Sequence, residues 1–304
     1  MTENAANEFA VEVSGLSKMF RKTAAVNGLD LQIKKGTIFG FIGPNGAGKT
    51  TTIKMLMGLL KPDGGKATVL GLDPQKDFEA IKQRVGYVPE QHLEYRWMKV
   101  REVIKFCRTF YEKWNDEMCG QLMEQFKLKG DDKVKWLSKG MLAKLSLLLA
   151  VSHEPELLLL DEPTGGLDPL IREEFLDGVV RTASGEHQTV FFSSHTISDV
   201  QRFADTVGII NEGQLLCHKP VDLFLEKTKR IRLLVEGGTL PHELTKGAVY
   251  HYIDGRECVV TVDDFEPGTP AKFDACSGVK VIEVVDVGLE DILKDYIRGR
   301  RQSV

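Results

Sequence analysis

The sequence is poor in cysteine, has no long apolar run and carries no excess of positive charge. Each shortage excludes a class of protein. Its five cysteines (Cys107, Cys119, Cys217, Cys258 and Cys276) are scattered, with no Cys-x-x-Cys pair. That excludes a disulfide framework and a cysteine-held zinc site, and isolated thiols in odd number suit a reducing compartment. The most apolar stretches, Leu145–Val151 and Leu157–Leu160, fall far short of the roughly 20 residues that a membrane-spanning helix needs. Met1–Phe9 is polar and lacks the apolar centre of a secretory leader. With a formal net charge of -4 there is no global basic field, so no nucleic-acid partner is expected. These shortages point to a soluble, cytosolic protein.

What is present is an ordinary globular composition, 42% hydrophobic and 28% charged, over 304 residues. That length allows one large core plus a small appendage. Short β-branched runs alternate with amphipathic helical patterns, as in a layered α/β fold. Strands are expected at Val11–Ser14, Leu29–Ile33, Thr37–Ile42, Leu157–Leu160, Thr189–Ser193 and Thr206–Ile210. From Thr50 to Leu60, the residues Ile53, Leu56, Met57 and Leu60 recur at helical spacing. Between Val100 and Ser152 the pattern is almost purely helical. Beyond Pro220, four short strands are expected: Ile231–Val235, Val249–Ile253, Cys258–Val262 and Val279–Val285. A helix over Leu289–Ile297 then precedes a basic tail, Arg298 to Arg301. The expected organisation is a tail over 1–8, an α/β body over 9–224 with a helical subdomain near 98–152, and a small α+β domain over 225–304.

Gly43-Pro44-Asn45-Gly46-Ala47-Gly48-Lys49-Thr50 fits Gly-x-x-x-x-Gly-Lys-Thr, with a strand before it and a helix after it. Glycines let the backbone turn tightly and aim N–H groups inward, and the helix adds its positive end. In such a cradle Lys49 reaches the β- and γ-phosphates and Thr50 ligates Mg²⁺, with Thr51 beside it as a further nucleotide contact. A nucleotide site is therefore expected, although the loop alone leaves GTPases, kinases and ATPases open.

Leu157–Leu160 is an apolar strand ending in Asp161 and Glu162. A buried strand that terminates in Asp places a carboxylate at the strand's C-terminal edge, where α/β sheets bind ligands. Asp161 is the candidate Mg²⁺ partner, and Glu162 the candidate for polarising the attacking water. A core strand with a solvated acidic end is the competing reading, weakened by the phosphate loop nearby.

Leu137-Ser138-Lys139-Gly140-Met141 resembles the signature motif of ABC ATPases, usually Leu-Ser-Gly-Gly-Gln, with Lys139 and Met141 as departures. Ser138 is also a good N-cap for the apolar helix that follows. Gly166-Leu167-Asp168-Pro169 is similar to the family's D-loop, His195 to its switch histidine, and Phe20 to the aromatic that stacks on adenine. After Tyr87-Val88-Pro89 the Q-loop position falls on Glu90, followed by Gln91. Either residue is a candidate for sensing Mg²⁺ and water. The resemblance covers about residues 9 to 220.

It implies a P-loop NTPase core with antiparallel β and helical subdomains, and ATP with Mg²⁺ as ligands. It further implies a second ATPase subunit, whose nucleotide would meet Ser138, Gly140 and Asp168 across a head-to-tail dimer. Glu162, His195 and Lys49 would be the catalytic residues. The remaining partner would be an integral membrane permease, contacted within Glu90 to Val103. The form Ser-Lys-Gly-Met is similar to export systems of the ABC-2 type, working at the cytoplasmic face of the cell membrane. A repair or ribosome-associated ABC ATPase, and a scaffold without turnover, are the rival readings.

Overall fold

The computed structural model describes residues 8–91, 95–183, 188–236 and 240–302. Apart from Glu8, the expected tail over 1–8 lies outside the described residues. The chain divides into two compact units, Met1–His218 and Lys219–Val304.

In the first unit, β1 (Phe9–Phe20) and β2 (Thr23–Lys34) form a hairpin, and β4 (Gly64–Val69) pairs with the other edge of β1. The sheet is antiparallel. Phe20 pairs with Thr23 across a two-residue turn whose first residue, Arg21, takes φ +56. That left-handed conformation matches the turn to the twist of its strands.

The second sheet has six strands in the order β5 (Val85–Val88), β6 (Leu157–Asp161), β7 (Thr189–Ser194), β3 (Ile38–Ile42), β8 (Thr206–Asn211) and β9 (Gln214–Pro220). From β5 through β8 the pairs are parallel. Such strands are buried on both faces and read as continuous apolar runs, which is why Leu157–Leu160 contains nothing but leucine. Phe39, Phe41 and Phe191 meet in the core with ring centroids 5.2–6.0 Å apart. Each such side chain contributes roughly 1.5–3 kcal/mol by burial. The register pairs Ile42 with Ser194 and Asp161 with Ser193, so β3, β6 and β7 end level with one another.

Helices α1 (Lys49–Leu56), α2 (Phe78–Arg84), α6 (Pro169–Ala183) and α7 (Ile197–Phe203) accompany these sheets. The helical pattern read from Thr50 to Leu60 ends at Leu56, because Gly58 turns the chain with φ +68. Between residues 100 and 151 there are only α3 (Val100–Arg108), α4 (Asp116–Gln125), a 3-10 turn at Val134–Trp136 and α5 (Lys139–Val151). Asn115 caps α4 and Ser138 caps α5, each accepting from the backbone N–H three residues on, at 2.8 and 3.2 Å.

The second unit contains α8 (Val221–Lys227), β10 (Lys229–Val235), α9 (His242–Thr245), β11 (Tyr250–Asp254), β12 (Glu257–Val262), α10 (Thr269–Asp274), β13 (Val279–Asp286) and α11 (Leu289–Gln302). The strand order β11-β12-β10-β13 is antiparallel, a split β-α-β arrangement. The four expected strands are present. The basic tail is not: α11 runs on through Arg298–Arg301 to Gln302. Arginine is a good helix former, and at Gly299 the helix lies so close to the sheet that a Cβ would sit 1.7 Å from the Val249 carbonyl. Buried Asp295 pins this helix, accepting from Arg230 Nε at 2.9 Å, Arg230 Nη2 at 3.0 Å and Thr261 Oγ1 at 2.7 Å.

Candidate functional site

The chain leaves β3 at Ile42 and enters α1 at Lys49 through the glycine-rich loop. Two glycines there are dictated by close approach. A Cβ on Gly43 would sit 2.2 Å from the Ile210 carbonyl, and one on Gly48 2.3 Å from the Ala25 carbonyl, where φ is also +110. The Lys49 ammonium folds back over the loop, donating to the Gly43 and Pro44 carbonyls at 2.7 and 3.1 Å. It also lies 3.0 Å from Glu162 Oε1, and both side chains are at most 10% exposed. An almost buried cation held over a ring of backbone is a phosphate site in its chemistry: charge and N–H donors converge without competition from bulk water.

The level strand ends bring the acids to the loop. Asp161 Oδ1 accepts from Thr50 Oγ1 at 2.9 Å and from Ser193 Oγ at 3.0 Å. Its other oxygen, Oδ2, is buried with no hydrogen-bond partner. Burial pushes the Asp161 carboxyl up, against the pull of the Thr50 and Ser193 hydroxyls, with Glu90 and Glu162 adding to the rise. A carboxylate with one spare buried oxygen beside a threonine hydroxyl is a donor set suited to a hard divalent cation.

Glu162 takes φ +48, a conformation few non-glycine residues adopt. Its N–H is anchored by donation to Ser193 Oγ at 2.9 Å. The turn aims the carboxylate between two partners, Lys49 on one oxygen and His195 on the other. His195 Nδ1 lies 2.6 Å from Glu162 Oε2, and the His195 N–H donates to the same oxygen at 3.3 Å. His195 is half exposed, at the mouth of the site.

Two cavities open here. One of about 490 Å³ is lined by the loop from Asn45 to Thr51 together with Glu90 and Glu162. The other, about 730 Å³, takes in Asn45, Glu90, Gln91, Lys139, Glu162 and His195. Glu90 therefore faces both and Gln91 only the larger. Glu90 is also close enough to Tyr87 to help burial and Asp161 push that phenol up to about 12.

Phe20, Ser138, Gly140 and Asp168 line neither cavity. Phe20 stands half exposed at the hairpin tip, with the Lys18 ammonium 5.8 Å from its ring centre. Ser138 is exposed at the start of α5. Gly140 is a packing position, since a Cβ there would meet Ile171 Cγ2 at 2.5 Å. Asp168 is exposed and caps α6, accepting from the Ile171 N–H at 3.1 Å.

Sequence reasoning missed Ser193, whose hydroxyl joins Asp161 to Glu162. The position was visible only as the end of an apolar strand, and its pairing with Asp161 is a matter of register. It also missed Asp199, buried and accepting from Thr164 Oγ1 at 2.9 Å, with burial pushing its carboxyl up.

The family model described as ABC transporter matches residues 26–165. The bacitracin transport ATP-binding protein BcrA of Bacillus licheniformis is 35% identical over 222 residues, 72% of each chain. The linearmycin resistance ATP-binding protein LnrL of Bacillus subtilis is 34% identical over 211 residues, 68% of each chain. Among solved structures, an ATP-binding subunit of an ABC transporter superimposes with TM-score 0.66 and 26% identity, over 71% of this chain and 92% of that one. A dimeric ATP-binding cassette bound to ADP and Pi shares the fold, with TM-score 0.62 and 20% identity over 69% of this chain and 98% of that one.

Proposed function

The chain belongs to the ABC transporter ATP-binding proteins, and from that premise we propose how its residues work. It is an ATPase subunit of a transporter. Lys49 and the loop from Gly43 to Thr51 hold the phosphates, and Phe20 stacks on adenine. Glu162 is the base for the attacking water and His195 orients it. The observation that carries this reading is the convergence on Glu162, with Lys49 at 3.0 Å on one oxygen and His195 at 2.6 Å on the other. A γ-phosphate entering the loop competes for Lys49 and so frees the carboxylate to accept a proton from water.

Mg²⁺ fits the donor set of Thr50 Oγ1 and Asp161 Oδ2, whose buried oxygen has no other partner. When bound, the ion supplies charge neutralisation at the β- and γ-phosphates. Glu90 is the better Q-loop candidate than Gln91, because it faces both cavities and acts on Asp161.

Ser138 and Asp168 are exposed and stand outside their own subunit's cavities, which favours work on a nucleotide held by a second subunit in a head-to-tail dimer, while Gly140 is buried against Ile171 and serves to seat the start of α5. The transport path is assigned to a membrane permease; among the described residues no helix is long and apolar enough to cross a membrane. That permease docks at the cytoplasmic face, on the segment after Glu90; residues 92–94 of this segment lie outside those described. A run of aromatic rings supports the placement: Trp97, Tyr95, Phe106 and Phe110 follow one another at 6.0, 5.5 and 5.0 Å. Trp97 and Phe110 are 71% and 60% exposed, an apolar surface suited to a partner helix. Relatives named for bacitracin transport and linearmycin resistance favour export.

The test is Mg²⁺-dependent ATPase rate against protein concentration, with Glu162→Gln as control. Specific activity that rises with concentration and vanishes in the variant supports composite sites. Near-normal turnover in Glu162→Gln sinks the role given to that residue.

A further inference from the structure

We propose that Asp199 is a positioning residue for hydrolysis, tying its helix to Thr164 so that His195 and Glu162 keep their register on the attacking water. The inference rests on the roles given to those two residues above and deepens them. Glu162 and Thr164 belong to the turn that follows β6, while His195 lies just before α7 and Asp199 in its first turn. Two ties join these segments. In front, His195 Nδ1 meets Glu162 Oε2 at 2.6 Å, from a half-exposed ring. Behind, Thr164 Oγ1 donates to Asp199 Oδ2 at 2.9 Å, with Thr164 3% and Asp199 5% exposed. The front bond competes with water and with an incoming nucleotide. The rear bond is buried and does not, so it can hold the two segments together while the front one opens.

Asp199 does not serve its own helix. An acid at the third helical position commonly accepts from the N-cap N–H, but here the Thr196 N–H donates to Ser194 Oγ at 2.9 Å. Asp199 instead sends both oxygens outward, Oδ2 to Thr164 and Oδ1 toward Arg172 of α6, whose Nη1 is 3.9 Å away. A buried carboxylate is costly unless its partners compensate it. Burial pushes Asp199 up, Thr164, Arg172 and His195 pull it down, and Glu162 adds to the rise. The charges of Glu162 and His195 are therefore both felt there. Each end of the tie is anchored. The Gly165 N–H donates to the Glu162 carbonyl at 3.0 Å and the Leu167 N–H to the Thr164 carbonyl at 3.1 Å, so Thr164 cannot shift without moving Glu162. On the other side, α7 packs so closely on β3 that a Cβ on Gly40 would meet Val200 Cγ1 at 2.6 Å.

The experiment uses the full chain. Thr164→Val removes the hydroxyl at nearly constant volume, Thr164→Ser keeps it, and Asp199→Ala removes the acceptor. In histidine-labelled protein without nucleotide, the His195 ring resonances, assigned by their loss in His195→Ala, report the bond to Glu162, and Glu162→Gln marks where they move when that bond changes. Thr164→Val and Asp199→Ala are expected to shift them toward the Glu162→Gln position, and Thr164→Ser to leave them in place. Single-turnover hydrolysis of MgATP should fall about tenfold in Thr164→Val, the size of a hydrogen bond to a charged group, with the ATP concentration for half-saturation unchanged. Thr164→Ser should keep most of the rate. In a His195→Ala background Thr164→Val should cost nothing further, whereas a merely structural loss would cost the same in both. Ring resonances that stay put in Thr164→Val overturn the assignment, and so does a loss of rate that multiplies with that of His195→Ala. Wild-type hydrolysis in His195→Ala overturns the role given to His195 and the positioning role with it, while the resonances still show whether the tie exists.

Discussion

His195 Nδ1 sits 2.6 Å from Glu162 Oε2, so the residues that follow β6 and β7 share one hydrogen bond and act as a unit. General-base assistance contributes typically 10²–10⁴-fold. Glu162→Gln is expected to lower single-turnover hydrolysis by about that factor while MgATP still binds. His195→Ala alone should cost roughly 10²-fold, and adding it to the Glu162→Gln background should cost little more, because residues of one unit are not additive. Losses that multiply in the double variant would show that the two act independently.

The hydroxyl of Ser193 donates to Asp161 Oδ1 and accepts from the Glu162 N–H. Ser193→Ala removes both bonds inside a buried site and should destabilise the protein by about 1–3 kcal/mol. It should also raise the Mg²⁺ concentration for half-maximal turnover, because Asp161 loses one of its two anchors. Asp161→Asn should raise that requirement further, by at least about tenfold (one charged ligand removed). An Mg²⁺ titration of ATPase activity, paired with urea unfolding, checks both. An unchanged Mg²⁺ dependence in Asp161→Asn would remove that residue from the metal site.

The parts legible in the sequence were those in which one local rule decides the outcome. The run Leu157–Leu160, the glycine loop between β3 and α1, and the strands around Ile231 and Cys258 each announce themselves by burial or turn chemistry. Strand β4 did not, because Gly64-Gly65-Lys66 is an exposed, glycine-rich segment that is a strand only through its pairing with β1. The same holds for Ser193. Its importance comes from a register between β6 and β7 that no window of residues contains. The continuation of α11 through its arginines is not legible because a charged run reads equally as a solvated tail, whereas Gly299 is where the helix meets the sheet.

The loop glycines separate two kinds of constraint. Gly46 has φ +81 but open space around a would-be Cβ, whereas Gly48 has φ +110 and the Ala25 carbonyl at 2.3 Å. Gly46→Ala should therefore cost about 1 kcal/mol of backbone strain and weaken ATP binding modestly. Gly48→Ala must move backbone at the start of α1, and should lose nucleotide binding altogether with a stability loss of about 2–4 kcal/mol. Calorimetric titration with ATP, alongside thermal unfolding, distinguishes the two, and equal effects would contradict the close approach to Ala25.

His153 gives the stability a defined acid limb. It is 2% exposed and stacked on Tyr111 with ring centroids 4.0 Å apart. Burial pushes its imidazole down from 6.5 to about 4. The unfolded chain therefore takes up a proton as the pH falls through 6.5, while the folded chain stays neutral until about 4. The contribution is complete above the unfolded value and is lost across that window, about 1.4 kcal/mol per pH unit and about 3 kcal/mol in all. His153→Phe keeps a ring against Tyr111 and cannot titrate. Carboxylates elsewhere also lose stability in acid, so the informative quantity is the difference between wild type and variant, which cancels them. Urea unfolding at about pH 7 and about pH 5 should show wild type losing roughly 2 kcal/mol more than His153→Phe. A constant difference between the two would mean that His153 titrates alike in the folded and unfolded chains.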